Sequence, residues 1–368
     1  MRLLEQITIQ NFKSIREQKL NLGRLNVFIG GNGAGKSNLV QAFRFLHEIV
    51  QHNLAPYSLE RGADALLYFG RRVSKTMLFH LQFGEGDRSN AYEIVLSPTD
   101  ENGLIVKSET VYFHNRSLYS SPLSNVINMG GRESALTSSK SDIAAYVRSD
   151  LEAYRLYHFH DTSDSAPMKT TVSLEDNAIL RPDAANLAAF LYLLQQKHNN
   201  HFRNIEDTIR QIAPFFERFN LAPSRLHPDR IRIEWKERGS DDYFNAVALS
   251  DGTLRFMCLV TLLLQPELPA LILLDEPELG LHPAAVALLA EMLLSASTRT
   301  QVLVATQSVT LVNQFAPEHV WTVNREDRQS VFRHLDKNDL AEWLDEYAGY
   351  EGYALGELWE KNVLGARP

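Results

Sequence analysis

GGNGAGKS at Gly30–Ser37 sets glycines, a lysine and a hydroxyl in the order G-x-x-x-x-G-K-S, with Gly30, Gly35, Lys36 and Ser37 in the defining positions. Glycines at these places let the main chain turn so that several N–H groups point at one phosphate chain. A helix starting at Lys36 would add partial positive charge at its N-terminus. Lys36 is expected to reach the β- and γ-phosphates of ATP, and the Ser37 hydroxyl to ligate Mg2+. Asn32, Gly33, Ala34 and Asn38 complete the expected cradle. Without nucleotide the lysine is expected to face solvent.

Two acidic residues end an apolar run in LILLDEPE, Leu271–Glu278. Asp275 is expected to hold Mg2+ together with Ser37, and Glu276 to polarise the attacking water. One carboxylate is then neutralised by metal while its neighbour keeps the charge a base needs. A third segment, LSDGTLRF at Leu249–Phe256, precedes that run by about one helix. Ser250 and Gly252 stand where a helix N-terminus could form another phosphate cradle. One ATP does not need two cradles from one chain, so the expected geometry is a homodimer in which each LSDGT closes over the partner's ATP. The plainer reading of this segment is a capped helix start.

The elements that must position these residues are readable around them. Residues 3–10 and 25–29 read as strands, and a helix from Lys36 carries Leu39, Val40, Phe43 and Leu46 at helical spacing. Segments 76–84, 91–97 and 104–114 alternate as antiparallel strands, and 115–150 is expected to be loop-rich. Residues 184–219 read as helical, with a break near His198–Asn200 and a second helix kinked or restarted by Pro214. A hairpin is expected over 230–236 and 243–249, then a helix after Gly252. Leu271–Leu274 and Val302–Ala305 suit buried parallel strands around a helix at 283–297.

The 368 residues, 44% hydrophobic and 22% charged, are ordinary for a globular chain. The formal charge of −8 argues against a generally basic nucleic-acid-coating surface. Local basic clusters remain at Arg71, Arg72 and Lys75, and at Arg225, Arg230 and Arg232. The one cysteine, Cys258, excludes an internal disulfide and reads as a core residue. No secretory leader or membrane span is apparent, which points to the cytoplasm. His158, His160 and Asp161 could ligate a metal, but a strand-end polar network is the better reading. Trp343, Trp359, Tyr347, Tyr350 and Tyr353 are expected to pack the C-terminal segment.

The three motifs in this order resemble the ABC ATPase superfamily, with LSDGT in the place of its LSGGQ signature. ITIQNFKSI and DEPELGLHP are more similar to its SMC/RecF-like branch, and YHFHDTS, LRPDAANLAAFL and LGELWEKNVLGARP resemble small bacterial AAA-family predicted ATPases within it. The resemblance implies an α/β P-loop NTPase head with a mixed-sheet lobe, about 1–115 and 265–335, and a helical lobe, about 116–264. A docking tail would follow at 336–368. It implies Mg-dependent hydrolysis of ATP between two heads. Gln307, in VLVATQS, stands where the branch carries a switch histidine; its amide can bond a γ-phosphate but takes up no proton. His282 stands near the end of a transporter-type D-loop, where aspartate is usual. The branch's long coiled coil is missing. The expected role is a regulatory ATPase that controls a nucleic-acid-directed or effector partner, such as a nuclease in bacterial antiphage defence. A RecF-like DNA repair clamp is the first alternative and a transporter-associated ATPase the second. Nucleic acid stays open as a partner; a membrane does not.

Overall fold

The computed structural model describes residues 2–335, 354–362 and 364. The chain forms two compact units, one of residues 1–156, 269–273 and 301–368, the other of residues 157–268 and 274–300.

The first unit holds two six-stranded sheets. One has the order β2-β1-β4-β5-β6-β7, with β1 Leu3–Phe12, β2 Ile15–Asn21, β4 Met77–Glu85, β5 Arg88–Pro98, β6 Leu104–Asn115 and β7 Leu123–Asn128. All its neighbouring pairs are antiparallel. Strand β1 alternates, burying Ile7 and Ile9, while a register shift between Leu4 and Gln6 lets Leu4 be buried too. Phe12, Phe45 and Phe79 meet with ring centroids 5.5–5.9 Å apart. That cluster joins the sheet to helix α1, Lys36–Val50, whose buried residues Leu39, Val40, Phe43 and Leu46 recur at helical spacing.

The other sheet has the order β17-β16-β3-β15-β14-β8. Its strands are β3 Leu25–Ile29, β8 Tyr154–Tyr157, β14 Leu271–Asp275, β15 Gln301–Thr306, β16 Val320–Glu326 and β17 Gln329–His334. Every residue of β3 and β15 is buried, as continuous apolar runs require when both faces are covered. Strand β3 pairs in parallel with β15 and β16, so Ile29 and Thr306 lie in register at the strand ends where the site residues begin.

The second unit is mainly helical. It contains α6 Leu187–Lys197, α7 Asn199–Ile212, α8 Asp251–Leu264 and α9 Pro283–Ser297. A small antiparallel sheet orders β10 Phe216–Phe219, β12 Glu234–Glu237 and β13 Tyr243–Asn245; β9 Val172–Ser173 pairs with β11 Arg230–Ile231.

Several local expectations change. Residues 115–150 include β7 and helix α5, Asp142–Glu152. Both group with residues 1–115, because β7 pairs with β6 while α5 buries Ala144, Val147 and Leu151 in the same core. The compact units divide near 156, and α9 groups with the helical unit. Pro214 ends the helical segment rather than restarting it: Phe216 and Phe219 lie in a strand, with rings 4.8 Å apart and Phe216 stacked on Trp235. Proline offers no N–H, and three aromatic rings gain more area in a sheet than on one helical turn. The hairpin is shorter than expected, because β11 pairs with β9 and residues 246–248 form a 3-10 turn.

Candidate nucleotide site

Strand β3 ends at Ile29 and the glycine loop leads directly into α1. Gly35 caps the helix at φ 119°, a backbone that side-chain-bearing residues rarely adopt. A Cβ there would fall 1.9 Å from Ser330 Oγ. Ser330 is buried and does specific work: its hydroxyl donates to the Ala34 carbonyl at 2.6 Å and lies 2.6 Å from Ser14 Oγ. Ser14 Oγ in turn accepts from the Asn38 amide at 2.6 Å, and the Ser330 N–H donates to the Ser14 carbonyl at 2.8 Å. The β1–β2 turn and the start of β17 thus brace the loop from behind. Asn38, expected in the cradle, gives its amide N–H to this brace. Ser14 sits inside the ITIQNFKSI run but had no assigned role; Ser330 has no local sequence signal.

Gly35→Ala should therefore lower stability by about 1–3 kcal/mol, through left-handed strain plus overlap with Ser330. Denaturant unfolding reads this out. A second change, Ser330→Gly, should recover the steric part and leave the conformational part.

Lys36 departs from expectation. It is only 5% exposed, and its ammonium donates to the carbonyls of Gly30 and Gly31, the latter at 3.2 Å. The ammonium carries three donors and no acceptor, and the Gly30 and Gly31 carbonyls take up donors where the side chain is buried. Ser37 is exposed, as are Asn32 and Gly33, while Ala34 is buried. Beside the loop is a cavity of about 290 Å³ whose lining includes Lys13, Asn38, Tyr68, Phe69, Arg325 and Arg328. Burial, with the nearby Arg61 cation second, holds the Lys13 pKa below its ordinary value. Gln307 follows directly on β15, and Ser308 caps the short helix α10, Val309–Val312, by accepting from the Leu311 N–H.

In the second unit, Asp275 and Glu276 are half-buried. Glu276 adopts φ 44°, in the left-handed region. The turn after it closes through Leu279 N–H to the Glu276 carbonyl and Leu281 N–H to the Glu278 carbonyl. Ser250 is the N-cap of α8: its hydroxyl accepts from the Thr253 N–H and remains exposed. Gly252 approaches the same turn so closely that a Cβ would fall 2.4 Å from the Gly280 carbonyl oxygen. His282, exposed, caps α9 by accepting from the Ala284 N–H.

The model of the family described as "AAA domain, putative AbiEii toxin, Type IV TA system" matches residues 25–313. The chain belongs to this family. The AAA-domain fold extends to solved structures of SMC heads. The Smc head bound to the C-winged helix domain of ScpA superposes with a TM-score of 0.59 at 16% identity, over 92% of this chain and 99% of that one. The Smc head with an extended coiled coil, bound to the C-terminal domain of ScpA from Pyrococcus furiosus, gives 0.58 at 16%, over 94% and 100%. A DNA replication and repair protein RecF from Renibacterium salmoninarum is 35% identical over 82 residues, 22% of this chain. The chain spans about a fifth of that relative's length (21%). By family this is an AAA-domain protein, and by fold it resembles SMC heads.

Other features of the AAA-domain chain carry less chemistry. Among the described residues no group of three or more His, Cys, Asp or Glu is placed so that it could hold a metal ion. In the basic clusters Arg71, Arg230 and Arg232 meet carboxylates. Arg71 pairs with Asp64 at 3.3 Å and donates to the Thr99 and Asp100 carbonyls. Arg232 meets Glu234 at 2.8 Å, and Arg230 lies 3.8 Å from Asp229. Burial pushes the Cys258 thiol pKa up, in keeping with a core residue. Trp359 is fully buried on the short helix Leu355–Glu360, whose Gly356 N–H donates to the Asn313 carboxamide at 2.6 Å. Trp343, Tyr347, Tyr350 and Tyr353 lie outside the described residues. Among the described residues no helix is long and apolar enough to cross a membrane.

Proposed function

We propose that this protein binds ATP with Mg2+ at the Gly30–Asn38 loop, hydrolyses it, and uses the ATP-bound state to join two heads. The observation that carries the reading is the loop itself: a glycine turn between a buried strand and a helix N-terminus, braced by Ser14 and Ser330. Main-chain N–H groups of Gly30, Asn32, Gly33, Ala34 and Gly35, with Lys36, Ser37 and Asn38, take the triphosphate. The cavity beside the loop, with cations and the aromatic rings of Tyr68 and Phe69, suits the nucleoside half in size and chemistry. Ser37 and Asp275 are the residues that would hold Mg2+. A hydroxyl and a carboxylate, both oxygen donors, fit a hard ion that keeps several waters. The bound ion would neutralise charge building on the phosphate oxygens.

Glu276 takes the role of water-activating base and Gln307 that of a γ-phosphate donor. Ser250 and Gly252 close over the ATP of a second chain. Opening of the pair after hydrolysis signals to an effector protein, with antiphage defence as the setting. A RecF-like repair clamp is the second reading, favoured by the 82-residue RecF match. Capture of the native protein with ATP bound separates the two: a nuclease-like partner supports the first, replication or repair proteins the second.

Lys36→Ala tests the site. Removing the cation should weaken ATP binding by about 10- to 100-fold, the worth of one charged hydrogen-bonding group. Because Lys36 also satisfies the Gly30 and Gly31 carbonyls, the same change should lower stability by about 1–3 kcal/mol. Calorimetric titration and thermal unfolding measure the two effects. Unchanged affinity in a folded variant would remove the loop from nucleotide binding.

A further inference from the structure

Arg255 lies one turn into α8, in the LSDGTLRF segment. All three donor positions of its guanidinium are used on main-chain carbonyls: Nε to Phe159 at 3.0 Å, Nη1 to Leu279 at 2.7 Å and Nη2 to His160 at 2.9 Å. Leu279 belongs to the turn that begins at Glu276, and Gly280 of that turn meets Gly252 of α8 in close backbone approach. Arg255 also lines, with Asp275 and Glu276, a cavity of about 10 Å³. Its cation therefore works on protein rather than on ligand.

Glu276 holds a left-handed backbone, which persists only where the surroundings over-determine it. The hydrogen bonds that close the turn include Leu279 N–H to the Glu276 carbonyl at 3.2 Å, and Leu279 and Gly280 are exposed. The Arg255 guanidinium adds to this constraint a donor from outside the turn, to the Leu279 carbonyl at 2.7 Å. We propose that Arg255 is a positioning residue that locks the Glu276–Leu281 turn to the signature helix, so that Glu276 and Ser250 move as one body. This rests on the assignment of Glu276 as the water-activating base. Lysine cannot replace it, because a single ammonium cannot span three carbonyls in a planar fork.

The test uses Arg255→Lys and Arg255→Gln in the full chain. Phosphate release at saturating ATP should fall about 10- to 100-fold, the scale of an ångström misplacement of a reacting group. ATP affinity by calorimetry and KM should stay within about twofold, since the loop is untouched. Hydrogen exchange without nucleotide should quicken at the Leu279 and Leu281 amides and stay unchanged at the Gly30–Asn38 loop. In a Glu276→Gln background, the Arg255 changes should slow phosphate release no further. Unchanged turnover or unchanged exchange at Leu279 overturns the proposal. So does a loss of ATP affinity that tracks a general loss of fold, or unfolding of both variants, because Arg255 then serves stability alone. Failure of the underlying reading looks different: Glu276→Gln would then turn over ATP normally.

Discussion

Glu276→Gln should bind ATP with near-normal affinity and release phosphate at least about 100-fold more slowly. The amide preserves shape and hydrogen-bonding reach but loses the charge that orients and deprotonates water. The left-handed backbone at Glu276 belongs to the turn and not to the carboxylate, so the fold should survive the change. Blocked hydrolysis traps the ATP state, so the variant should remain associated for longer after ATP is added. Single-turnover phosphate release gives the rate, and light scattering gives the mass. Normal turnover would take Glu276 out of the reaction and leave Asp275 to explain the motif alone.

Ser250→Arg carries the second large effect. The side chain caps α8 from an exposed position, so the loss of the cap should cost only about 1 kcal/mol. ATP binding to a single head should stay intact. Association driven by ATP should be lost, because a long cation occupies space that the trans arrangement reserves for a phosphate. Mixing Ser250→Arg chains with Lys36→Ala chains sharpens the test. In the mixed pair one composite site combines both lesions, and the other combines an intact loop with an intact signature. Association or turnover should therefore rise above that of either variant alone. Normal ATP-driven dimers of Ser250→Arg would mean that LSDGT is a helix cap and nothing more.

The glycine turn, the acidic strand end and the capped start of α8 were legible in the sequence because each rests on a local backbone requirement. Glycines, a helix N-terminus and an apolar strand must adjoin within a few residues, and GGNGAGKS, LILLDEPE and LSDGTLRF satisfy that by spacing alone. The buried runs of β3 and β15 and the full length of α9 were equally plain. Strand β10 was misread, because aromatic residues after Pro214 fit helical spacing until their long-range partner Trp235 is known. Strand β7 and helix α5 were missed because their polar composition hides a pairing with β6 and a short buried stripe.

The sequence by itself singled out the residues proposed to meet a phosphate, a metal and a water, since those proposals follow from side-chain type and a fixed offset along the chain. Tertiary structure alone decided how they are held. Ser330 reaches the loop across 296 positions to Ala34, and Arg255 reaches His160 across 95. It also decided that Lys36 is buried on its own carbonyls rather than extended. Supporting contacts of this kind join residues far apart in the chain through main-chain acceptors, which every residue type presents alike. No local pattern of side chains can encode them.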